Sequence, residues 1–133
     1  MKTNWKLIAV LSMFVASLML SAFPLAQVAE AKGTAVKITL TAGARYPQAK
    51  GTAKYGVSSG REFQVEVENV KVLAGKTLSV YANGNKVGSF VVNSLGAGRL
   101  NLSTSRGQIV PFIKTGSPVV IRFGLLVVAA GRF

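Results

Sequence analysis

The sequence predicts an all-β protein, an antiparallel immunoglobulin-like β-sandwich of about seven to eight strands that follows an N-terminal signal peptide. Apolar and polar residues alternate in short runs along most of the chain. Gly, Asn or Ser interrupts these runs at intervals of about eight to twelve residues, which is typical of antiparallel sheets. No stretch of useful length has the i, i+3, i+4, i+7 spacing of an amphipathic helix.

The first 31 residues have the pattern of a secretory signal peptide. Lys2 and Lys6 form a basic head, residues 7–23 are uncharged and mostly apolar, and Ala29-Glu30-Ala31 has the small-residue spacing of a cleavage site. We therefore expect cleavage before Lys32, no transmembrane segment after cleavage, and a single β domain over residues 32–133. The alternative is an uncleaved anchor, because residues 7–23 are about as long as the shortest stretch that spans a bilayer.

The first part of the domain is predicted to form a strand over residues 35–41 and a hairpin of residues 50–57 and 61–68. The hairpin loop is Ser58-Ser59-Gly60, in which Gly60 is expected to adopt the left-handed conformation. This loop pairs Val57 with Arg61, Tyr55 with Phe63, Ala53 with Val65 and Lys50 with Glu68. The register buries both aromatic rings and turns the charged residues outward.

A second hairpin is predicted from residues 76–82 and 86–92, because Asn-Gly between two apolar-rich runs is a strong hairpin signal. Two registers are open at Asn83-Gly84-Asn85. A two-residue loop pairs Val80 with Val87, whereas a three-residue loop pairs Leu78 with Phe90. We favour the second register because it buries the larger side chain.

The rest of the chain is predicted to form strands over residues 99–104, 118–123 and 125–129. Residues 108–113 are a further candidate strand, and Pro111 places it at an edge or a bulge because proline cannot donate a ladder hydrogen bond. A membrane-spanning barrel is the competing fold, but it needs at least eight strands of about nine to eleven residues. The chain after the signal peptide is too short for that.

The composition excludes most catalytic chemistry. His and Cys are absent, which excludes serine and cysteine triads and the usual zinc sites, and the chain has no phosphate-binding glycine loop. Since exported proteins can keep disulfides, the lack of Cys favours a bacterial source. We therefore expect no catalytic residues, no cofactor and no metal. The alternative is a hydrolase or metal-dependent enzyme that uses Glu62, Glu66 and Glu68, which we interpret instead as a solvated charged stripe.

The charge of the domain is the feature that bears on partners. After residues 1–31, fourteen Lys and Arg and three Glu remain, which gives a net charge of +11. Such a charge attracts polyanions over long distances, and the expected partners are anionic polysaccharide, lipopolysaccharide or an anionic lipid surface. A dedicated nucleic acid target is not expected, because the tyrosines are scattered. The alternative is that the charge serves only solubility. The candidate anion-binding residues on outward strand faces are Lys37, Lys50, Lys54, Lys86 and Arg99.

Several stretches of strand and turn residues together resemble a family: Tyr46-Pro47, residues 51–55 and 61–68, Asn83-Gly84 with Val87-Gly88, and Gly107 through Val110-Pro111 to Thr115-Gly116. Over most of residues 35–123 the chain resembles uncharacterised bacterial exported β-sandwich domains that are distantly similar to CHRD-type extracellular domains. The resemblance implies the fold and an exported location, and it implies no site. We therefore expect a non-catalytic binding or structural module in the periplasm, at the cell surface or outside the cell.

Overall fold

The alternating residues produce eight antiparallel strands in residues 34–133, the part of the chain that the computed structural model describes. The predicted signal peptide of residues 1–31 lies outside the described residues. The strands are β1 (Thr34–Ala42), β2 (Lys50–Val57), β3 (Arg61–Glu68), β4 (Thr77–Ala82), β5 (Asn85–Val91), β6 (Gly98–Ser103), β7 (Pro118–Phe123) and β8 (Leu126–Arg132). Short 3₁₀ turns at Lys71–Leu73 and Thr104–Arg106 complete the regular structure of these residues. No helix among them is long and apolar enough to cross a membrane.

The strands form a single, nearly closed sheet rather than the two packed sheets of the predicted immunoglobulin-like sandwich. Their order is β5-β4-β7-β8-β1-β2-β3-β6, so the first and last strands of the domain are neighbours in the middle of the sheet. The all-β prediction is confirmed, but the architecture is barrel-like. An alternating strand buries one face in either architecture, and therefore alternation alone does not distinguish them.

Two glycines allow the edge strands β5 and β6 to approach each other and nearly close the sheet. A Cβ atom on Gly88 of β5 would lie 2.8 Å from a Cδ atom of Leu100, and one on Gly98 of β6 would lie 2.4 Å from the Phe90 ring. A larger residue at Gly98 would displace the Phe90 ring, and one at Gly88 would displace the end of the Leu100 side chain. We call this junction the β5–β6 seam.

The interior of the sheet is filled by the inward residues of nearly every strand. The largest fully buried side chains include Phe63 on β3, Leu78 on β4 and Ile121 on β7, and Leu40 and Ala129 join them from β1 and β8. All buried apolar residues of the described part lie between positions 40 and 129. Residues 35–133 form one compact unit, and this unit contains its own core.

The predicted hairpin of β2 and β3 is confirmed pair by pair, from Val57 opposite Arg61 to Lys50 opposite Glu68. The expected left-handed conformation of Gly60 is wrong, because Gly60 is not among the residues with positive φ. Glycine is required there for a different reason. A Cβ atom at this position would lie 2.5 Å from Oγ1 of Thr104, which accepts a hydrogen bond from the Arg61 N–H.

The hairpin of β4 and β5 has the two-residue loop at its tip, but Val80 pairs with Gly88 and not with Val87. At the tip, Ala82 pairs with Asn85 around a two-residue turn in which Asn83 and Gly84 both have positive φ, the geometry of a type I′ turn. A bulge after Val80 then shifts the register by one residue. Further along, Leu78 therefore pairs with Phe90, as we favoured.

Residues 108–113 do not form the predicted edge strand. Val110 is buried, but its neighbours Ile109 and Phe112 point into solvent, and Pro111 removes a backbone donor. The segment is instead part of a loop that runs from Thr104 to Ser117 across one end of the sheet. The last strand also continues past the predicted residue 129 to Arg132.

Candidate anion-binding surface

All three acidic residues of the described domain lie on the outward side of β3. The intervening residues of this strand point into the core, so strict alternation places the carboxylates on one stripe. Strand β2 flanks this stripe on one side and β6 on the other. We call the surface formed by the outward residues of β1, β2, β3 and β6 the Lys–Glu face; its charged members are Lys37, Lys50, Lys54, Glu62, Glu66, Glu68 and Arg99.

Basic residues stand directly beside two of these three carboxylates. Lys50 lies opposite Glu68 in the β2–β3 ladder, and Arg99 lies opposite Glu66 in the β3–β6 ladder. Nη2 of Arg99 donates to Oε2 of Glu66 at 2.6 Å, the one ion pair found among the described residues. Both side chains are partly exposed, and such pairs typically contribute about 0–1 kcal/mol to stability.

Four of the five predicted anion-binding residues belong to this face, where they share the surface with the acids. Lys37, Lys50, Lys54 and Arg99 contribute four positive charges and the glutamates three negative ones, which leaves the face close to neutral. The fifth residue, Lys86, lies apart at the start of β5. An anion that approaches the Lys–Glu face therefore meets carboxylates as well as lysines. The anion-binding role of these five residues stays a prediction.

A shallow depression of about 510 Å³ on the Lys–Glu face is lined in part by Lys37, Lys50, Glu66 and Glu68. Two of the three glutamates of the predicted enzyme alternative, Glu66 and Glu68, therefore line one concave surface. A cation lies beside each of them, since Glu66 pairs with Arg99 and Glu68 lies opposite Lys50. Within residues 34–133, no group of three His, Cys, Asp or Glu side chains is placed to hold a metal ion.

Most of the positive charge lies away from the Lys–Glu face. Residues 69–133 contain no acidic residue, and neither do residues 31–61. The remaining part of the described surface therefore carries nine cations and no carboxylate side chain. These are Arg45, Arg61, Lys71, Lys76, Lys86, Arg106, Lys114, Arg122 and Arg132.

Five of these nine cations gather around the loop from Thr104 to Ser117. Lys86 borders a depression of about 430 Å³ together with Ile109, Pro111 and Phe112. Arg132 donates from Nη1 to the carbonyl of Gly116 at 3.0 Å, which fixes it beside the end of the same loop. We call this region the Phe112 end; it comprises the loop with its Arg106, Ile109, Phe112 and Lys114, together with Arg61, the turn of residues 83–87 and Arg132.

Arg61 connects the sheet to this loop. Its Cζ atom lies 3.9 Å from the centroid of the Phe112 ring, and Nη2 donates to the carbonyl of Val110 at 3.1 Å. Its Nε is buried and has no partner among the described residues. Arg122 on β7 makes a similar contact with Tyr81 on β4. Its Cζ atom lies 4.7 Å from the centroid of the Tyr81 ring, and its Nε is also buried without a partner among the described residues. Cation–π contacts of this kind stabilise each guanidinium where it is.

The sequence analysis did not single out Arg61, Ile109 or Phe112 as functional. One signal for them was present in the segment Ile109-Val110-Pro111-Phe112-Ile113, which is apolar at every position. An edge strand would expose every second residue of such a run to solvent, and the central proline disfavours a strand. The run therefore indicates a loop that exposes some apolar side chains. The contact with Arg61 comes from β3, far away in sequence, and no local pattern predicts it.

Comparison with known proteins finds no family model and no curated protein that matches this chain. The resemblance to exported β-sandwich domains of the CHRD type therefore stays a prediction.

Proposed function

We propose that this chain is a non-catalytic, exported module of the cell envelope that binds anionic partners through its basic surface. The observation that supports the proposal is the separation of charge. All three acidic side chains of the domain lie on the Lys–Glu face, whereas the Phe112 end carries five cations, one of which, Arg61, is followed in the chain by Glu62. The Phe112 end is accordingly the part of the surface best suited to anions.

Local separation matters because salt limits the range of each charge. At physiological ionic strength an exposed charge has little influence beyond about 8 Å. A bound anion therefore responds to the cations in its immediate neighbourhood and hardly at all to the net charge of the domain. On this basis the Phe112 end attracts polyanions more strongly than the Lys–Glu face, where carboxylates offset the lysines.

Two matched triple variants test this proposal. One removes cations of the Phe112 end, Lys86→Gln, Arg106→Gln and Lys114→Gln, and the other removes cations of the Lys–Glu face, Lys37→Gln, Lys50→Gln and Lys54→Gln. Both lower the net charge by the same amount. Binding of each to fluorescently labelled polygalacturonate, a soluble acidic polysaccharide, is measured by anisotropy at about 20 and about 150 mM salt.

We expect the first variant to lose about tenfold or more in affinity, because several exposed contacts of about 0–1 kcal/mol each are removed together. The second variant should lose no more than about threefold. Equal losses would mean that only net charge matters, and a larger loss in the second variant would move the site to the Lys–Glu face. Absence of binding by the unaltered domain at low salt would leave the charge as a solubility device.

A further inference from the structure

Two large apolar side chains are exposed at the Phe112 end. Ile109 is 90% exposed and Phe112 is 73% exposed, although they flank Val110, which is buried in the core. Single exposed apolar residues are common on protein surfaces, but two large ones on one loop beside a partly apolar depression mark an interaction surface. The depression next to them is lined in part by Val87 and Pro111.

The loop holds these side chains outward in a defined position. Val110 anchors it in the core, Nη2 of Arg61 donates to the Val110 carbonyl, and Nδ2 of Asn83 donates to the Phe112 carbonyl at 2.9 Å. The stacked guanidinium of Arg61 also fixes the Phe112 ring. A preorganised loop of this kind pays little ordering entropy when it binds.

Cations surround the exposed apolar pair. Arg61 lies against Phe112, Lys86 borders the same depression, and Arg106 and Lys114 lie three and two residues from Ile109 and Phe112 along the loop. The loop itself contains no acidic residue. Apolar tips within a basic rim match the interface of an anionic bilayer, where acyl chains lie about 5–10 Å below negatively charged headgroups.

We propose that the Phe112 end docks the domain onto an anionic lipid bilayer, with Ile109 and Phe112 inserted at the interface and the surrounding cations in contact with the headgroups. This inference rests on the proposed function and specifies its partner as a lipid surface. A soluble polyanion offers charge but no apolar phase, so it leaves the two exposed side chains without a role. A bilayer matches both features of the surface at once.

The first test uses tryptophan as a reporter of insertion. The chain has a single Trp, at position 5, so residues 32–133 contain none, and this part includes the complete core of the compact unit. Phe112→Trp places a fluorophore at the proposed contact. Leu125→Trp is the matched control, because Leu125 is 92% exposed in the turn between β7 and β8, at the opposite end of β7 from the Phe112 end.

Each variant of residues 32–133 is mixed with vesicles of equal parts phosphatidylglycerol and phosphatidylcholine, or of phosphatidylcholine alone. We expect a blue shift and quenching by brominated acyl chains for Phe112→Trp with the anionic vesicles, and neither effect for Leu125→Trp. Absence of a shift at position 112 while the protein sediments with the vesicles would overturn insertion. An equal shift at both positions would overturn the assigned orientation.

The second test separates this inference from the proposed function. The variant Ile109→Ser/Phe112→Ser should lose about tenfold or more in affinity for anionic vesicles, because it removes most of the apolar surface that enters the interface. Leu95→Ser/Leu125→Ser, which removes two exposed apolar residues elsewhere, should bind like the unaltered domain. Both should bind soluble polygalacturonate unchanged.

The outcomes are distinct. Unchanged vesicle binding by Ile109→Ser/Phe112→Ser would refute apolar docking while leaving polyanion binding intact. Failure of the unaltered domain to bind either vesicles or polygalacturonate at low salt would refute the proposed function itself. Thermal unfolding of each variant checks that an altered affinity does not come from a misfolded domain. Because the side chains are exposed, we expect only a small fall in melting temperature, which for Ile109→Ser/Phe112→Ser comes from the lost contact of Phe112 with Arg61.

Discussion

Substitution Gly98→Ala should test whether the β5–β6 seam is closed as tightly as the structure shows. A Cβ atom at this position would lie 2.4 and 2.5 Å from Cδ1 and Cε1 of the Phe90 ring and 3.2 Å from the carbonyl oxygen of Val91. Carbon atoms in ordinary contact are about 3.5–4.0 Å apart. The ring must therefore move by roughly 1 Å, and it is a buried ring that packs on the core.

The expected cost follows from two opposing terms. Overpacking a well-packed site typically costs about 1–3 kcal/mol, whereas replacement of Gly by Ala within a strand recovers about 0.5–1 kcal/mol of backbone entropy. We therefore expect Gly98→Ala to lower the free energy of unfolding by about 1–2 kcal/mol. For a domain of this size, each kcal/mol lowers the melting temperature by about 4–8 °C.

Urea unfolding of residues 32–133 measures the effect, with Ser89→Ala as a control on the exposed side of β5, where we expect a change within about 0.5 kcal/mol. Phe90→Leu replaces the ring by a smaller aliphatic side chain, so the cost of Gly98→Ala should shrink by about 1 kcal/mol in that background. If Gly98→Ala is neutral, or if its cost is unchanged when Phe90 is shortened, the edges of the sheet are not packed against each other as described.

Three further predictions concern the core, the loop and the N-terminus. Phe63→Ala should cost about 3–5 kcal/mol because the ring is fully buried, whereas Gln64→Ala on the outer side should stay within about 0.5 kcal/mol in denaturant melts. Asn83→Ala should lower the free energy of unfolding by about 1–2 kcal/mol, because alanine tolerates the positive φ poorly and the hydrogen bond to the Phe112 carbonyl is lost. Asn83→Gly tolerates the positive φ and loses only the hydrogen bond, so it should lower the free energy of unfolding by less in the same melts. The intact mass of secreted protein should correspond to a chain that begins at Lys32, and a dominant species that retains residues 7–23 would show an anchor instead.

The local structure of the sheet could be predicted from the sequence, but its closure could not. The β2–β3 register follows from loop length and side-chain alternation, which are both local, and it is correct throughout. The bulge after Val80 shifts the register beyond the Asn83-Gly84 turn, and no local signal in the sequence marks it. The approach of β5 to β6 depends on glycines whose partners, Leu100 and Phe90, lie on the other strand.

The candidate site was less predictable because it depends on contacts between distant segments. Alternation placed Lys37, Lys50 and Lys54 outward, and the structure does bring them to one face. Alternation also placed the glutamates outward. The near balance of charge on that face could not be predicted, because it depends on the strand order that brings β1, β2 and β6 beside β3. The contact of Arg61 with Phe112 joins residues of β3 and of a loop that was predicted to be a strand.

For the proposed anion binding, net charge alone is therefore a poor guide to where the partner should contact the domain. Glu66 is paired with Arg99 and Glu68 lies opposite Lys50, so the proposal expects the Lys–Glu face to bind an anion weakly despite its four cations. At the Phe112 end, by contrast, the loop contains no acidic side chain to offset its cations. The exposed apolar pair on that loop adds a preference that charge cannot provide, namely for a partner that presents negative charge and an apolar phase at the same surface.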